Sequence, residues 1–420
     1  MNKYVIHGKN KLCGDVFISG SKNASLPIMA ASLLTSEKII LQNVPDLMDT
    51  ITMKELLTIL GKKISGGGSQ VIIEEIDPSP YEAPYEIFRK MRASIAVMGP
   101  LIARKRKAKI SFPGGCAIGP RPIDLHIHGM KSLSADLRIE HGYIWAQSKE
   151  LIGKKINLLG NNGPSVGATE NVMSAAVLAK GVTIIEGAAC EPEVEDLAAL
   201  LNEMGAKISG AGTTTIVIEG VEQLHGTEHK IIPDRIETGT FIAAAGITGG
   251  EIHLRNVNAS HIEKPIEIFS LAGVEIEILS NDQIIARGRS IKPVEVDTRP
   301  YPFFPTDLQA QLMALLCISE GISIITEKIF PDRFMHAAEL CRMGADIKVA
   351  GAIAVIKGVN DLSGASVMAS DLRAGAGLVV GALCAHGQSE ILRIYHLDRG
   401  YERLEEKLRN LGADIQRIPQ

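Results

Sequence analysis

The sequence predicts an α/β protein built from six repeated units, and two elements that recur in phase carry this reading. The first is an alanine-rich helix, a turn containing Gly, Ser or basic residues, and a short β-branched strand. Its strands anchor at Ile39, Ile110, Ile184, Ile252, Ile324 and Ile391, at intervals of about 70 residues. The second is the end of an amphipathic helix, a glycine cap and another strand. Its copies are Leu60-Gly61-Lys62, Met204-Gly205-Ala206, Ala272-Gly273-Val274, Met343-Gly344-Ala345 and Leu411-Gly412-Ala413. A sixth, Leu133-Ser134-Ala135, has serine in place of glycine. Chance likeness among Ala/Gly-rich helices would not keep both elements in phase through six copies. A (β/α)₈ barrel needs eight shorter units, and hairpin-like strand pairs such as Thr215–Ile218 argue against one doubly wound sheet.

Length and composition set the frame. A chain of 420 residues is long enough for two or three domains. With 45% apolar and 22% charged residues it is globular, not disordered. The net charge of −4 excludes a general pull toward nucleic acid or anionic membrane. The basic run Arg104-Lys105-Arg106-Lys107 reads as a solvated connection ahead of a strand. Met1–His7 has no apolar core of a signal peptide, and no apolar run has the length of a membrane span. The six cysteines show no Cys-x-x-Cys or zinc-ligand spacing. Cys317 and Cys384 lie in apolar helical runs and read as small core residues. Together these features predict a cytoplasmic protein without membrane insertion.

The stretch Phe112-Pro113-Gly114-Gly115-Cys116-Ala117-Ile118-Gly119-Pro120-Arg121-Pro122 carries the strongest chemical signal. A core cysteine has no need of two glycines before it and Gly-Pro after it, whereas a thiol on a lid loop does. Arg121 would hold a nearby anion. Gly20-Ser21-Lys22-Asn23 precedes an apolar helix, where backbone amides and a lysine make an anion site; a solvent-exposed lysine is the rival reading. Asp307 stands at a helix start after two prolines, as an ordinary N-cap or as a base. Asp371 and Arg373 open another apolar helix, Arg399 precedes the last one, and Arg92 starts a helix from which it could hold a diphosphate. Lys22, Arg92, Arg121, Arg373 and Arg399 thus supply five cations on equivalent ends of different repeats, a set suited to small, strongly anionic substrates. His126-x-His128 places two imidazoles on one face of a strand. A third metal ligand is not evident, so structural hydrogen bonds are the better reading.

With these loops on the page, the chain resembles the UDP-N-acetylglucosamine enolpyruvyl transferase family (1-carboxyvinyltransferases). Matching stretches run from Gly20–Pro27 through Met91–Ser94, Pro113–His126, Ser165–Thr169, Phe304–Gln311 and Arg333–His336 to Ala369–Ala374 and Tyr395–Glu402. The Pro-Gly-Gly-Cys-Ala-Ile-Gly loop is specific to that family; the related 5-enolpyruvylshikimate-3-phosphate synthases lack it. The resemblance implies a two-domain inside-out α/β barrel, three units per domain, with helices central and sheets facing solvent. It assigns residues 22–232 to one domain and 1–21 plus 233–420 to the other, with the active site in the cleft between them. It implies transfer of the enolpyruvyl group of phosphoenolpyruvate to the 3-hydroxyl of UDP-N-acetylglucosamine, with phosphate released and no metal or redox cofactor. Cys116 would be the proton donor and Asp307 the general base, while Lys22, Arg121 and Arg399 would bind phosphate and carboxylate. Asn23 would touch the sugar. Arg92, Arg121, Pro122, Ile123, Asp124, Leu125, Ser165, Val166 and Gly167 would form the nucleotide side. Ile329, Asp371 and Arg373 would also face substrate. Departures from the family pattern are few: Ser134, Gly129-Met130-Lys131 and Asn162-Gly163-Pro164. A shikimate-type transferase would differ only in its acceptor. A non-catalytic UDP-sugar binder would be expected to lack Cys116, Asp307 or Lys22.

Overall fold

Thr215-Ile216-Val217-Ile218-Glu219 shows how the strands are made. Side chains alternate across a strand, and here Ile216 and Ile218 are fully buried while Thr215 and Glu219 face solvent. Strands of this kind form six four-stranded sheets in the computed structural model, which describes residues 2–112, 123–161 and 163–420. The chain divides into two compact units, one built from residues 20–112 and 123–232, the other from 2–19 and 233–420.

Each unit contains three of the sheets, all of one pattern: an edge strand parallel to its neighbour, followed by two antiparallel strands. In the unit spanning 20–232 the orders are Glu228–Lys230, Ile39–Gln42, Val71–Glu75, Lys62–Ser65; then Glu82–Ala83, Lys107–Ser111, Tyr143–Gln147, Asp136–Glu140; then Lys155–Asn157, Val182–Glu186, Thr215–Glu219, Lys207–Ser209. The other unit repeats this with Cys13–Phe17, Glu251–Arg255, Gln283–Gly288, Val274–Ser280, and with Glu295–Thr298, Ile322–Glu327, Ile353–Lys357, Asp346–Ala350. Its third sheet is Ser366–Met368, Gln388–Leu392, Asn2–His7, Asp414–Pro419. The six anchoring isoleucines all fall in the second strand of their sheets. In the last sheet the third strand is the first of the chain: Tyr4 pairs with Ile391 on one side and Arg417 on the other. The two chain ends close the sixth copy.

The helix-to-strand turn explains the recurring glycine. Gly61, Gly205, Gly273, Gly344 and Gly412 have φ between 91° and 100°, and Ser134 sits at the same place with φ 71°. A left-handed residue there ends the helix and aims the chain into the hairpin.

The helices that follow the edge strands are buried nearly all round, as helices inside a layer of sheets must be. In the first unit these are α1 (Lys22–Ala31), α2 (Met98–Lys105) and α4 (Val166–Ala176), whereas α3 (Asp124–Ser132) and α5 (Pro192–Glu203) follow second strands and each keep an exposed face. In the second they are α6 (Arg235–Thr248), α7 (Gln309–Leu316) and α8 (Leu372–Cys384). Every residue of α7 is buried, as is every residue of α8 except Leu372. Small side chains make this packing possible: a Cβ on Gly377 would lie 2.7 Å from the Ala310 carbonyl oxygen. Each unit has its own continuous apolar core. Cys317 and Cys384 belong to one of them, and burial pushes both thiols up, Cys384 to about 12. No helix among the described residues is long and apolar enough to cross a membrane.

The basic run departs from its expected solvated state. Arg104 and Lys105 end α2 and turn back onto the protein. Arg104 donates twice to the Glu75 carboxylate, at 2.5 and 2.7 Å, and Lys105 donates to the Leu60 and Pro80 carbonyls. Unsatisfied carbonyls at helix and strand ends attract such donors, a pull that composition alone does not reveal.

Candidate active site

In the unit spanning 20–232 the candidate residues gather at helix N-termini. Ser21 caps α1 by accepting from the Ala24 amide, which puts Lys22 in the first turn with its Nζ 3.6 Å from the buried carboxylate of Asp49. Pro27 lacks the N–H that would meet the Asn23 carbonyl four residues earlier. Ser165 caps α4 in the same way, accepting from the Ala168 amide, with Val166 and Gly167 in its first turn. Arg92 opens the 3₁₀ turn Arg92–Val97. Ile123 is buried, Asp124 is exposed at the start of α3, and Leu125 packs toward the Leu159–Gly160 strand, where a Cβ on Gly160 would lie 3.1 Å from it.

These elements are joined by a residue that sequence reasoning passed over. Asn171, fully buried on α4, donates through Nδ2 to the Ile95 carbonyl at 2.9 Å and accepts through Oδ1 from the Gly99 amide at 2.5 Å. Its Nδ2 is also 3.0 Å from His126 Nδ1. Gly99 is required at this contact, because a Cβ would lie 2.1 Å from the Asn171 carbonyl oxygen. His126 and His128 lie on α3, not on a strand. Residues two apart on a helix diverge, so the pair cannot share a ligand: His126 is buried and His128 exposed. Burial, helped by Arg92, holds the His126 imidazole down to about 4.

In the other unit the candidate residues form one charged cluster. Asp307 lies in the 3₁₀ turn Thr306–Leu308 ahead of α7, and its side chain does not cap that turn. Instead Oδ1 accepts from Arg333 at 2.8 Å and Oδ2 from Arg373 at 3.1 Å. Both guanidinium groups are buried. Burial alone would lower the Arg373 pKa, but Asp307, Tyr401 and Asp234 together outweigh it, and the group is held firmly charged. Arg373 also lies over the Tyr401 ring, 5.5 Å from its centroid. Asp371, by contrast, is a true N-cap: its Oδ1 accepts from the Arg373 and Ala374 amides at 2.8 and 3.2 Å. It also lies 3.9 Å from Arg333. Glu327, fully buried, accepts from Thr298, Thr306 and the amides of Ile329 and Phe330, which fixes Ile329 and the Asp307 turn together. Arg399 ends the 3₁₀ turn Ile394–Arg399. The His396 imidazole in that turn is lowered by burial and then by Arg399.

The structure therefore brings Asp307, Asp371 and Arg373 together in one unit, and Arg92 and Gly167 around His126 in the other. Cys116, Arg121 and Pro122 lie outside the described residues. Among the described residues no group of His, Cys, Asp and Glu is arranged to hold a metal. Sequence reasoning missed Asn171, Arg333, Glu327 and Asp49. The signal for Asn171 was a polar Thr169-Glu170-Asn171 run inside an apolar helix, and for Arg333 a basic residue within a motif stretch already noted.

Comparison with known proteins places this arrangement. Residues 6–408 match the family described as EPSP synthase (3-phosphoshikimate 1-carboxyvinyltransferase). The chain is 52% identical over 415 residues, 99% of both chains, to UDP-N-acetylglucosamine 1-carboxyvinyltransferase 1 of Caldanaerobacter subterraneus subsp. tengcongensis. It is 53% identical over the full length of both chains to UDP-N-acetylglucosamine 1-carboxyvinyltransferase 2 of Carboxydothermus hydrogenoformans. Among solved structures, the enolpyruvyl transferase NikO from Streptomyces tendae superposes with a TM-score of 0.91 at 25% identity, over 100% of this chain and 99% of that one. EPSP synthase from Acinetobacter baumannii shares the fold, with a TM-score of 0.76 at 18% identity over the whole of both chains. The inside-out α/β architecture of six units is thus that of the enolpyruvyl transferases, and the chain belongs to the UDP-N-acetylglucosamine 1-carboxyvinyltransferase family.

Proposed function

We propose that this chain transfers the enolpyruvyl group of phosphoenolpyruvate to the 3-hydroxyl of UDP-N-acetylglucosamine, releasing phosphate, in peptidoglycan precursor synthesis. The observation that carries this reading is identity of about half, over the whole length, with relatives named for that reaction. Identity falls to 18% against an EPSP synthase of the same fold, which argues against shikimate 3-phosphate as acceptor.

The chemistry divides among the residues as follows. The Cys116 thiol gives a proton to the methylene carbon of phosphoenolpyruvate, which leaves C2 electrophilic. A thiol with an ordinary pKa above neutrality is protonated and able to do so. The sugar 3-hydroxyl adds to C2 while Asp307 takes its proton. A methyl proton then returns to the Cys116 thiolate while phosphate departs with the proton taken by Asp307, which restores the double bond and both residues. Lys22, Arg121 and Arg399 hold the phosphate and carboxylate as charge shifts between them. Arg333 and Arg373 fix both oxygens of Asp307, so the base has one orientation. Arg92, Ile123, Asp124, Leu125 and the Ser165–Gly167 turn take the nucleotide, Asn23 the sugar, and Ile329 and Asp371 line the reacting end. Incubation with both substrates and identification of the product by NMR tests the reading. The 3-O-enolpyruvyl ether of the UDP-sugar is expected; consumption of shikimate 3-phosphate in its place would overturn it.

A further inference from the structure

The orientation of the Asn171 amide is set by two backbone groups. The Gly99 N–H requires an acceptor and the Ile95 carbonyl a donor, so Oδ1 faces the first and Nδ2 the second. Nδ2 carries a second hydrogen, and His126 Nδ1 lies 3.0 Å away. That nitrogen is therefore the acceptor. A neutral imidazole accepting at Nδ1 carries its hydrogen on Nε2.

The ring is neutral here. Burial disfavours the imidazolium and Arg92, on the neighbouring turn, adds to this. Glu170, the acidic residue of α4, is itself driven toward its neutral form by burial and by Glu193 and Glu191. On α3, Asp124 and His128 are exposed. The Nε2 edge sits at the start of α4, where a Cβ on Gly167 would lie 3.5 Å from it.

We propose that Asn171 is a positioning residue that locks the tautomer of His126, so that His126 presents an Nε2–H donor beside Gly167 to an acceptor oxygen of the UDP-sugar. This rests on the assignment of the Ser165–Gly167 turn to the nucleotide. Asn171 itself touches no substrate. It acts by excluding the Nδ1–H form, which would turn an acceptor toward the ligand's oxygens.

Two measurements test it. In the wild-type protein, long-range ¹H–¹⁵N correlation of His126 shows Nδ1 bare and Nε2 protonated, unchanged across neutral pH. An Nδ1–H tautomer would overturn the proposal without reference to any substrate. The Asn171→Asp variant keeps the acceptor for Gly99 but puts a carboxylate oxygen against His126 Nδ1, which must then carry the proton. Above the new imidazole pKa, Nε2 is bare and the donor is lost; below it, the imidazolium regains the donor. The KM for UDP-N-acetylglucosamine then rises about tenfold at alkaline pH, the scale of one lost hydrogen bond, and falls back as pH is lowered. The KM for phosphoenolpyruvate stays within about twofold. An equal, pH-independent rise in both KM values would mark a merely structural role and overturn the proposal, as would an unchanged KM for the UDP-sugar. Inactivity of the wild type toward the UDP-sugar would instead defeat the functional reading, and is scored separately.

Discussion

Replacing Ser134 by glycine should stabilise this protein, and the size of the gain follows from the repeat. Ser134 is the single non-glycine at the helix-to-strand turn among the six copies, with φ 71° where the others have φ 91° to 100°. A left-handed backbone costs a residue with a Cβ about 1–2 kcal/mol. The freer unfolded chain of glycine returns about 0.4–1 kcal/mol of that. Ser134 is exposed, so little else changes. The net gain is about 0.5–1 kcal/mol, which for a unit of this size raises its Tm by about 1–4 °C. Calorimetry of S134G against wild type reads the shift. Two reverse substitutions separate backbone strain from crowding. In G344A the new Cβ meets just the Ser363 hydroxyl at 3.6 Å, so the loss is the backbone cost alone, about 0.5–1 kcal/mol. In G61A it would lie 1.9 Å from the Asp77 carbonyl oxygen, and the loss reaches about 3 kcal/mol. A lower Tm for S134G, or equal losses for G344A and G61A, would refute the reasoning.

Three further outcomes are expected. Asp307→Asn keeps the shape between Arg333 and Arg373 but removes the base, and lowers kcat by about 10²–10⁴-fold with the fold intact by circular dichroism; a kcat near that of wild type would remove Asp307 from the chemistry. Fosfomycin, an epoxide that alkylates the family's loop thiol, adds one mass increment to the intact protein and none to Cys116→Ala, while the buried Cys317 and Cys384 stay unmodified; adducts on the variant would contradict this. Burial pushes the Lys62 ammonium down to about 8, against the attraction of Glu75, whereas the unfolded value is about 10.4. Between these values the unfolded chain binds more protons, so stability rises with pH across that window, by up to about 3 kcal/mol. Urea denaturation of wild type and K62M at both ends reads it, and a constant difference between them would count against it.

The repeat was legible because it is written in short-range physics: β-branched strands, a positive-φ turn and alanine-rich helices each leave a local mark. The helix starts beside Lys22 and Asp371 were legible for the same reason, each standing just before an apolar run. Asp307 could not be resolved between cap and base from its neighbours in sequence. Its partners Arg333 and Arg373 are brought to it by the tertiary fold alone. The His126–His128 pair was misread because an alternating His-Ile-His suits a strand, while the helix that contains it is set by packing against α4. Asn171 gave no motif, since it acts through backbone groups of another copy, and Glu327 gave none, since its tertiary partners are the Thr298 and Thr306 hydroxyls. The sixth sheet, closed by the first strand of the chain, is a property of the whole chain that no window of it displays.

Phosphate release from phosphoenolpyruvate tests the central claim most directly, measured with UDP-N-acetylglucosamine, with shikimate 3-phosphate and with no acceptor, for wild type and Cys116→Ala. The account predicts release with the UDP-sugar alone, lost in the variant. Release with shikimate 3-phosphate, or undiminished release from Cys116→Ala, would contradict it.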